Sequence, residues 1–487
     1  MHPSHQAIAD HIHARRYTEA ERLGIAHVRQ YPIDGQGWVL LGEALMMQGY
    51  GRAAESLFNR AYLLDPEAKW MPHMKQQLDR VPGGAGRPDI ETLLQVPKVT
   101  VTAAIIVKNE ERCIERCLNS ILGAFDEIIV VDSGSTDRTL SLIRQYPDVK
   151  LYQTEWEDSF AALRNEALAR TTSDWVFWLD ADEWLESEDR EIVRIAAGMF
   201  DTMKFIPSLQ PCLVNHVNGK EIMEFSVSRI FPTNRGLRYS GRIHEQLATE
   251  REGIYTSNVL HKPVRIRLHH DGYEPDIKSL KNKIERNIGL LRKMTEEEPD
   301  NPGWWYFLGR ETMDSGNADQ ALGYFDNVVK LGENNPRFGR MAEIHMLMGR
   351  AHYSQGRLDA AEQCYRKALT IHPDFPDAHY QLACIAMVQA QKLLGRAMEH
   401  ARHSAQGFDT YRGLVGANHE IHQWRADALI GDLLVHNGQL YEANGHLRKA
   451  RDRLSASDDL DRKISFIAQQ QRLLSLKSAL SGLQGGK

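Results

Sequence analysis

Asp174-Trp175-Val176-Phe177-Trp178-Leu179-Asp180-Ala181-Asp182-Glu183 is the stretch on which the fold turns. Its apolar part is short, aromatic and β-branched, and it shows no helical period. Such a run reads as a strand covered on both faces, the kind found in a mostly parallel sheet. Acidic residues follow at once. In an open α/β sheet, ligands bind beyond the carboxyl ends of the strands. Asp180 and Asp182, at i and i+2 just past a buried strand, can both turn toward one hard cation. Mn2+ or Mg2+ takes oxygen ligands and commonly shares its shell with substrate phosphates. Asp-x-Asp also occurs in solvated loops and helix caps, and here its place at a strand end is what separates the two readings.

Working outward, the spacing predicts a strand over Val101–Val107, a helix over Glu111–Leu122 and a strand over Ile128–Val131. A helix near Arg138–Gln145, a short strand at Val149–Tyr152 and a helix over Ser159–Arg170 follow. Strands alternating with helices at this interval imply a sheet with helices on both faces. Each strand is followed by polar groups. Lys108-Asn109-Glu110-Glu111 follows the first, and the second ends in Asp132-Ser133-Gly134-Ser135-Thr136-Asp137. No glycine loop of the P-loop or dinucleotide type is present, so phosphates bound here would need a divalent cation to neutralise much of their charge.

Four ordered motifs now resemble a known family. Ile105-Ile106-Val107-Lys108-Asn109-Glu110-Glu111, Val130-Val131-Asp132-Ser133-Gly134-Ser135-Thr136-Asp137, Arg164-Asn165-Glu166-Ala167 and Trp178-Leu179-Asp180-Ala181-Asp182-Glu183 are similar to the nucleotide-binding half of the family-2 glycosyltransferases, across residues 99–185. Many members carry Asp-Asp-Gly-Ser-Thr-Asp in the second motif. The Asp132-Ser133 variant resembles the subgroup of lipopolysaccharide-core glucosyltransferases and sublancin-type peptide S-glycosyltransferases, the latter also joined to tetratricopeptide-like helices. The resemblance implies a GT-A fold (a Rossmann-like mixed sheet) and a nucleotide-sugar donor, most commonly a UDP-sugar. It implies that Asp132 contacts the base, that Val107, Asn109 and Glu110 lie along the nucleoside, and that Arg164 approaches the diphosphate. Asp180 and Ala181 would face the ribose or the metal's water shell, and Asp182 would bind Mn2+ or Mg2+.

The second half of this domain, where the acceptor is expected, is less regular. Arg229-Ile230-Phe231 leads to Gly241-Arg242-Ile243-His244-Glu245, and His269-His270-Asp271-Gly272-Tyr273 comes later. His244-Glu245 is not the zinc-protease motif, because Ala248 stands where the second histidine belongs. Inverting transfer needs one general base on the acceptor. Glu245 or His244 can supply it, with Glu245 preferred and His244 orienting it or contacting phosphates. His270 is the candidate late histidine of the metal shell, an expectation that rests on the GT-A resemblance.

On either side of this domain the sequence repeats. Trp38, Leu41, Gly42, Leu45, Ala54, Phe58, Ala61 and Pro66 have tetratricopeptide spacing, with a weaker copy over His5–Pro32. Trp305, Leu308, Gly309, Ala321 and Phe325 form a later unit, and Gly349, Ala361, Tyr365, Ala368 and Pro373 the next. Tyr380, Leu382 and Ala383 open a third, and Gly431, Ala443, Leu447 and Ala450 mark a fourth after an irregular insertion. The expected organisation is therefore N-terminal helices over 1–80, a turn-rich linker over 81–97, the GT-A glycosyltransferase domain over 98–275 and all-α tetratricopeptide-like repeats over 276–487. Such repeats serve either to bind an extended peptide or protein acceptor or to pair two copies as a homodimer.

Bulk composition narrows the classes further. The chain has 487 residues, 42% of them apolar and 25% charged, which is ordinary for a globular protein, and its net charge of −6 argues against a nucleic-acid partner. No apolar run approaches the roughly 20 residues of a transmembrane span, and Met1–Arg16 lacks the apolar centre of a secretory signal. Cys113, Cys117, Cys212, Cys364 and Cys384 are few and scattered, as expected of a reducing cytoplasm. Two other readings stand beside the first: the same enzyme acting on a glycan or lipid-linked acceptor, and a catalytically weak nucleotide-binding scaffold. Nucleotidyl transfer fits poorly, because the loop after the first strand lacks glycines.

Overall fold

The computed structural model describes residues 2–217, 219–255, 258–271, 283–407, 410, 415, 417–454 and 457–484, side chains beyond 474 excepted. Gly272-Tyr273 and the 275/276 boundary lie outside the described residues. The chain divides into two compact units, Met1–Ile344 and His345–Lys487.

The first unit opens with two helical hairpins, α1 (Pro3–His13) with α2 (Tyr17–Gln30) and α3 (Gly35–Met47) with α4 (Gly51–Leu64). Two short helices follow, α5 (Met71–Leu78) and α6 (Pro88–Leu93). The turn-rich stretch between them is no loose tether. Pro82 and Gly83 accept backbone hydrogen bonds from the amides of Gly51 and Arg52 at 3.0 and 3.1 Å, and Ile90 is buried.

The sheet domain then runs β1 (Val101–Val107), α7 (Ile114–Ile121), β2 (Glu127–Asp132), α8 (Thr139–Ile143), β3 (Val149–Gln153), α9 (Phe160–Arg170) and β4 (Trp175–Asp180). β5 (Glu183–Leu185), α10 (Arg190–Asp201), β6 (Ile206–Val217), β7 (Lys220–Glu224), β8 (Ile230–Pro232), β9 (Leu237–Ser240), β10 (Gln246–Thr249) and β11 (Val259–His270) complete it. The main sheet has the order β3-β2-β1-β4-β8-β6-β11-β5, with β7 on β6, while β9 and β10 pair separately. β3, β2, β1 and β4 are mutually parallel; β8 is antiparallel to β4, and β11 runs parallel to β6. This is the mixed Rossmann-like arrangement expected from the sequence. β1, β2 and β4 are buried along almost their whole length, as expected of parallel strands covered on both faces, while β3 at the edge is partly exposed. At the amino end of the sheet, buried Glu127 accepts from Thr102 Oγ1 at 2.7 Å and from the Thr172 amide at 3.0 Å, and it also pairs with Lys150. At the carboxyl end, the register Val107↔Asp132 and Ile106↔Asp180 brings the motifs after β1, β2 and β4 to one edge.

Helices resume with α11 (Lys283–Glu297), α12 (Pro302–Asp314) and α13 (Ala318–Gly332), and α14 (Met341–Ser354) carries the boundary between the units. The second unit continues with α15 (Leu358–Ile371), α16 (Pro376–Gly407), α17 (Ala426–His436), α18 (Leu440–Asp452) and α19 (Asp458–Gln484). A single steric device recurs in these hairpins. A Cβ on Gly42, Gly309, Gly349 or Gly431 would come within 2.7, 2.4, 2.4 and 2.6 Å of Phe58, Phe325, Tyr365 and Leu447, respectively. Each large side chain stands sixteen residues after its glycine, which fixes how closely the two helices of a hairpin approach. Tyr380, Leu382 and Ala383 lie near the start of the 32-residue helix α16, which packs on the preceding hairpin through Ala378, Leu382 and Ile385, although Tyr380 itself is 67% exposed.

Filling one of these contacts should be costly. Gly309→Ala is expected to destabilise the protein by roughly 1–3 kcal/mol through overpacking. Gly323→Ala, on α13 where a Cβ meets nothing within 4 Å, should be neutral or mildly stabilising. Urea denaturation of both variants checks this, and equal midpoints would contradict the packing account.

Candidate active site

The loops after β1 and β2 hold each other in place. Asn109 adopts a left-handed φ of 55°, its amide donates to Ser135 Oγ at 2.9 Å, and its Oδ1 accepts from the Thr136 amide at 2.7 Å. The Glu110 amide donates to Thr139 Oγ1 at 2.8 Å, while Val107 O accepts from the Ser133 amide at 3.0 Å. Asp132 is fully buried. Its Oδ1 accepts from the amides of Gly134 and Ser135 at 2.9 and 3.0 Å, and its Oδ2 from the Ser135 hydroxyl. The carboxylate thus shapes its own turn, an Asx-type arrangement.

The end of β4 is dominated by charge. Asp180 accepts from Arg164 Nη2 at 2.9 Å and from Arg229 Nη2 at 2.7 Å. Arg229 Nη2 also donates to Glu183 Oε1 at 2.7 Å, and Glu183 Oε2 accepts from the Asp180 amide at 2.8 Å. Arg164 Nε donates to Glu245 Oε1 at 2.6 Å, and its guanidinium lies 5.1 Å from the Trp178 ring centroid. Burial alone would raise the Asp180 carboxyl, but Arg229 and Arg164 outweigh it and hold the group far below the usual range. Glu183 is pushed the other way, up to about 7, by burial in the first place and by the neighbouring Asp180 and Asp182 charges, against the pull of Arg229. Two buried donors of this network, Arg164 Nη1 and Arg229 Nε, have no hydrogen-bond partner among the described residues.

Asp182 and His270 come together although 87 residues of chain separate them: His270 Nε2 stands 3.5 Å from Asp182 Oδ2. The antiparallel pairing of β11 with β5 causes this, since it sets His270 opposite Glu183. His270 Nδ1 is 2.9 Å from Asn215 Oδ1. That contact orients the ring and leaves Nε2 toward Asp182, the arrangement typical of a ligating imidazole. Burial would lower the His270 pKa, but Asp182 reverses this and the net shift is upward. The donor set fits a divalent cation. Asp182 Oδ2 and His270 Nε2 face each other beside the Asp180 carboxylate, oxygen and imidazole donors of the kind such a cation takes. An imidazole beside the carboxylate suits Mn2+ better than Mg2+.

Ala181 is buried between the two aspartates. The two residues of the His244-Glu245 motif diverge. Glu245 joins Arg164, whereas His244, at a left-handed φ of 48°, turns to α12. Its Nε2 is 2.8 Å from Glu311 Oε1, and its ring stacks on Phe307 at 4.6 Å. His244 therefore does not orient Glu245, as the sequence had suggested; it docks the loop on the helices. Sequence reading also missed the roles of Arg229, Asn215 and Glu311. The signal for Asn215 was a polar residue inside an apolar strand. Arg229 stands out in the sequence only as the start of a motif, and Glu311 carries no local signal.

Residues 102–195 match the family described as Glycosyl transferase family 2, and residues 349–385 match the TPR repeat. The chain thus carries a family 2 glycosyltransferase domain in company with tetratricopeptide repeats. More particularly, it is 30% identical over 231 residues to the SPbeta prophage-derived glycosyltransferase SunS of Bacillus subtilis, covering 47% of this chain and 53% of that protein. It is 28% identical over 277 residues to a TPR repeat-containing protein of Synechococcus elongatus, covering 55% and 66%. It is 30% identical over 163 residues to the lipopolysaccharide core biosynthesis glycosyltransferase LpsC of Rhizobium meliloti, covering 32% and 59%. The chain thus spans only about half to two thirds of the length of these relatives. No helix among the described residues is long and apolar enough to cross a membrane.

The His244–Glu311 contact has a consequence that needs no substrate. Glu311→Ala should cost roughly 1–3 kcal/mol by leaving His244 beside an apolar ring without its acceptor. Amide exchange across Gly241–Gln246 should rise. Unchanged exchange there would mean that other contacts hold the loop.

Proposed function

We propose that this chain is an inverting, divalent-metal-dependent glycosyltransferase that moves a sugar from a UDP-sugar to a peptide or protein side chain. The observation that carries the reading is the approach of Asp182 to His270, with Nε2 and Oδ2 3.5 Å apart, on the edge where Asp180, Arg164 and Glu245 also meet. Asp182 and His270 would hold the cation. When bound, the cation supplies positive charge to the departing diphosphate.

The chain's own residues account for the rest. Arg164 is fixed by Asp180 and Glu245, which puts a guanidinium, the group that pairs best with phosphate oxygens, at the edge where the diphosphate would sit. Asp132 and Asn109 stiffen the two loops that would flank the nucleoside. Glu245 is the residue we assign as base. One of its oxygens is taken by Arg164, which aims the other, and it would accept the proton of the attacking acceptor group. His244 acts as a positioning residue through Glu311 and Phe307.

Similarity to SunS, whose subgroup was already suggested by Asp132-Ser133, supports a polypeptide acceptor, and the tetratricopeptide repeats offer surfaces suited to an extended chain. Similarity to LpsC keeps a second reading in view, transfer to a lipopolysaccharide-type glycan. The domain organisation that accompanies this proposal is 1–80 helical, 98–275 catalytic and 276–487 helical repeat.

The test is release of UDP from UDP-sugars with Mn2+, together with mass spectrometry of candidate peptide and glycan acceptors. Asp182→Ala should reduce turnover by about a hundredfold or more, the scale of losing one group that stabilises developing charge. Unchanged transfer by that variant would remove the metal assignment, and hexose found on the glycan alone would favour the second reading.

A further inference from the structure

Far along the chain from the sheet edge, the N-terminal helices bring two imidazoles and a carboxylate to one point. Ligand atoms of His5 on α1, His27 on α2 and Asp34 at the N-cap of α3 lie within 4.8 Å of one another. His5 Nε2 and His27 Nε2 are 2.6 and 2.7 Å from the same oxygen, Asp34 Oδ2, and 3.3 Å from each other. Ligand atoms of a tetrahedral zinc ion, with bonds of about 2.0–2.2 Å, stand about 3.3 Å apart. The nitrogen pair already has that separation. The nitrogen–oxygen contacts are a few tenths of an ångström shorter, as hydrogen bonds are, and would open slightly if a cation replaced the two bridging protons.

The site is built rather than incidental. His5 and His27 are 8% and 4% exposed. The His27 ring occupies space that any other residue at 37 would fill, since a Cβ on Gly37 would lie 2.4 Å from its Cδ2. Ser4 Oγ, 2.7 Å from His27 Nδ1, fixes the ring from the far side, leaving Nε2 to the cluster in the manner of outer-shell support. The rings of His2 and Tyr31 pack against His27 at 5.3 and 5.0 Å and shield one side. The three ligands come from three successive elements, and α1 joins the other two through a buried apolar cluster of Ile8, Ile12, Ala20, Leu40 and Ala44.

We propose that His5, His27 and Asp34 bind a zinc-class dication, with the fourth position left to water, and that the ion staples α1 to the α2–α3 turn at the first repeat. Two imidazoles with one carboxylate select Zn2+, Co2+ or Ni2+ over Mg2+ or Ca2+. The inference is independent of the transfer activity.

The experiment uses the full chain, freed of metal with chelator and titrated with Zn2+. Bound zinc is counted by elemental analysis after gel filtration, and the thermal midpoint is followed. Wild type and Asp182→Ala should both retain an equivalent of zinc that His27→Gln lacks, and both should gain a zinc-dependent rise in midpoint that His27→Gln does not. Asp34→Asn should behave like His27→Gln while folding normally, because Asp34 Oδ1 accepts the Gln36 amide and an asparagine oxygen can do the same. Equal zinc content and equal midpoint shifts in wild type, His27→Gln and Asp34→Asn would overturn the proposal, as would loss of all bound zinc in Asp182→Ala.

Discussion

Four carboxylates cannot share one edge of a sheet unless something holds them there, and Arg164 and Arg229 do so. Arg229 bridges Asp180 and Glu183, while Arg164 bridges Asp180 and Glu245. Buried ion pairs of this kind lose solvation roughly as fast as they gain attraction, so they are poor evidence for stability. Their effect is geometric. They fix the end of β4, the start of β5, helix α9 and the 241–245 loop relative to one another, and leave Asp182 and His270 facing each other beside them.

Much of this was legible in the sequence because it is local. The apolar runs Val101–Val107 and Trp175–Leu179 could only be buried strands, and the polar groups at their ends had to meet at one edge. The tetratricopeptide spacing was legible for the same reason: Gly309 and Phe325, or Gly431 and Leu447, recur at a fixed interval set by helix geometry. What escaped was non-local. Asn215 reaches His270 through the parallel pairing of β6 with β11, and a sequence carries no mark of that register. Glu311 meets His244 across 67 positions. His244 and Glu245 are adjacent in sequence, which suggests that His244 orients Glu245 or contacts the phosphates, yet the left-handed φ at His244 accompanies two different neighbours, Glu311 for His244 and Arg164 for Glu245. Tyr380 shows the converse failure, a repeat-like residue that stands exposed on a helix much longer than the repeat spacing implies.

The two clusters of metal-ligating side chains differ in chemistry, and the difference is informative. At the sheet edge one imidazole sits among carboxylates, a set for an ion that keeps water and phosphate in its shell. In the first hairpins two imidazoles converge on a single carboxylate oxygen, a set for an ion held more closely by the protein. The same chain would thus use one cation for chemistry and another to tie α1, α2 and the start of α3 together.

The central claim is that one cation is shared between His270 and the donor's diphosphate. Pulsed EPR of the full chain with Mn2+ and UDP addresses it directly. The account predicts a Mn2+ ion coupled to both phosphorus and an imidazole nitrogen, with the nitrogen coupling absent in His270→Ala. A phosphorus-coupled ion without nitrogen coupling, or with nitrogen coupling that survives His270→Ala, would contradict it.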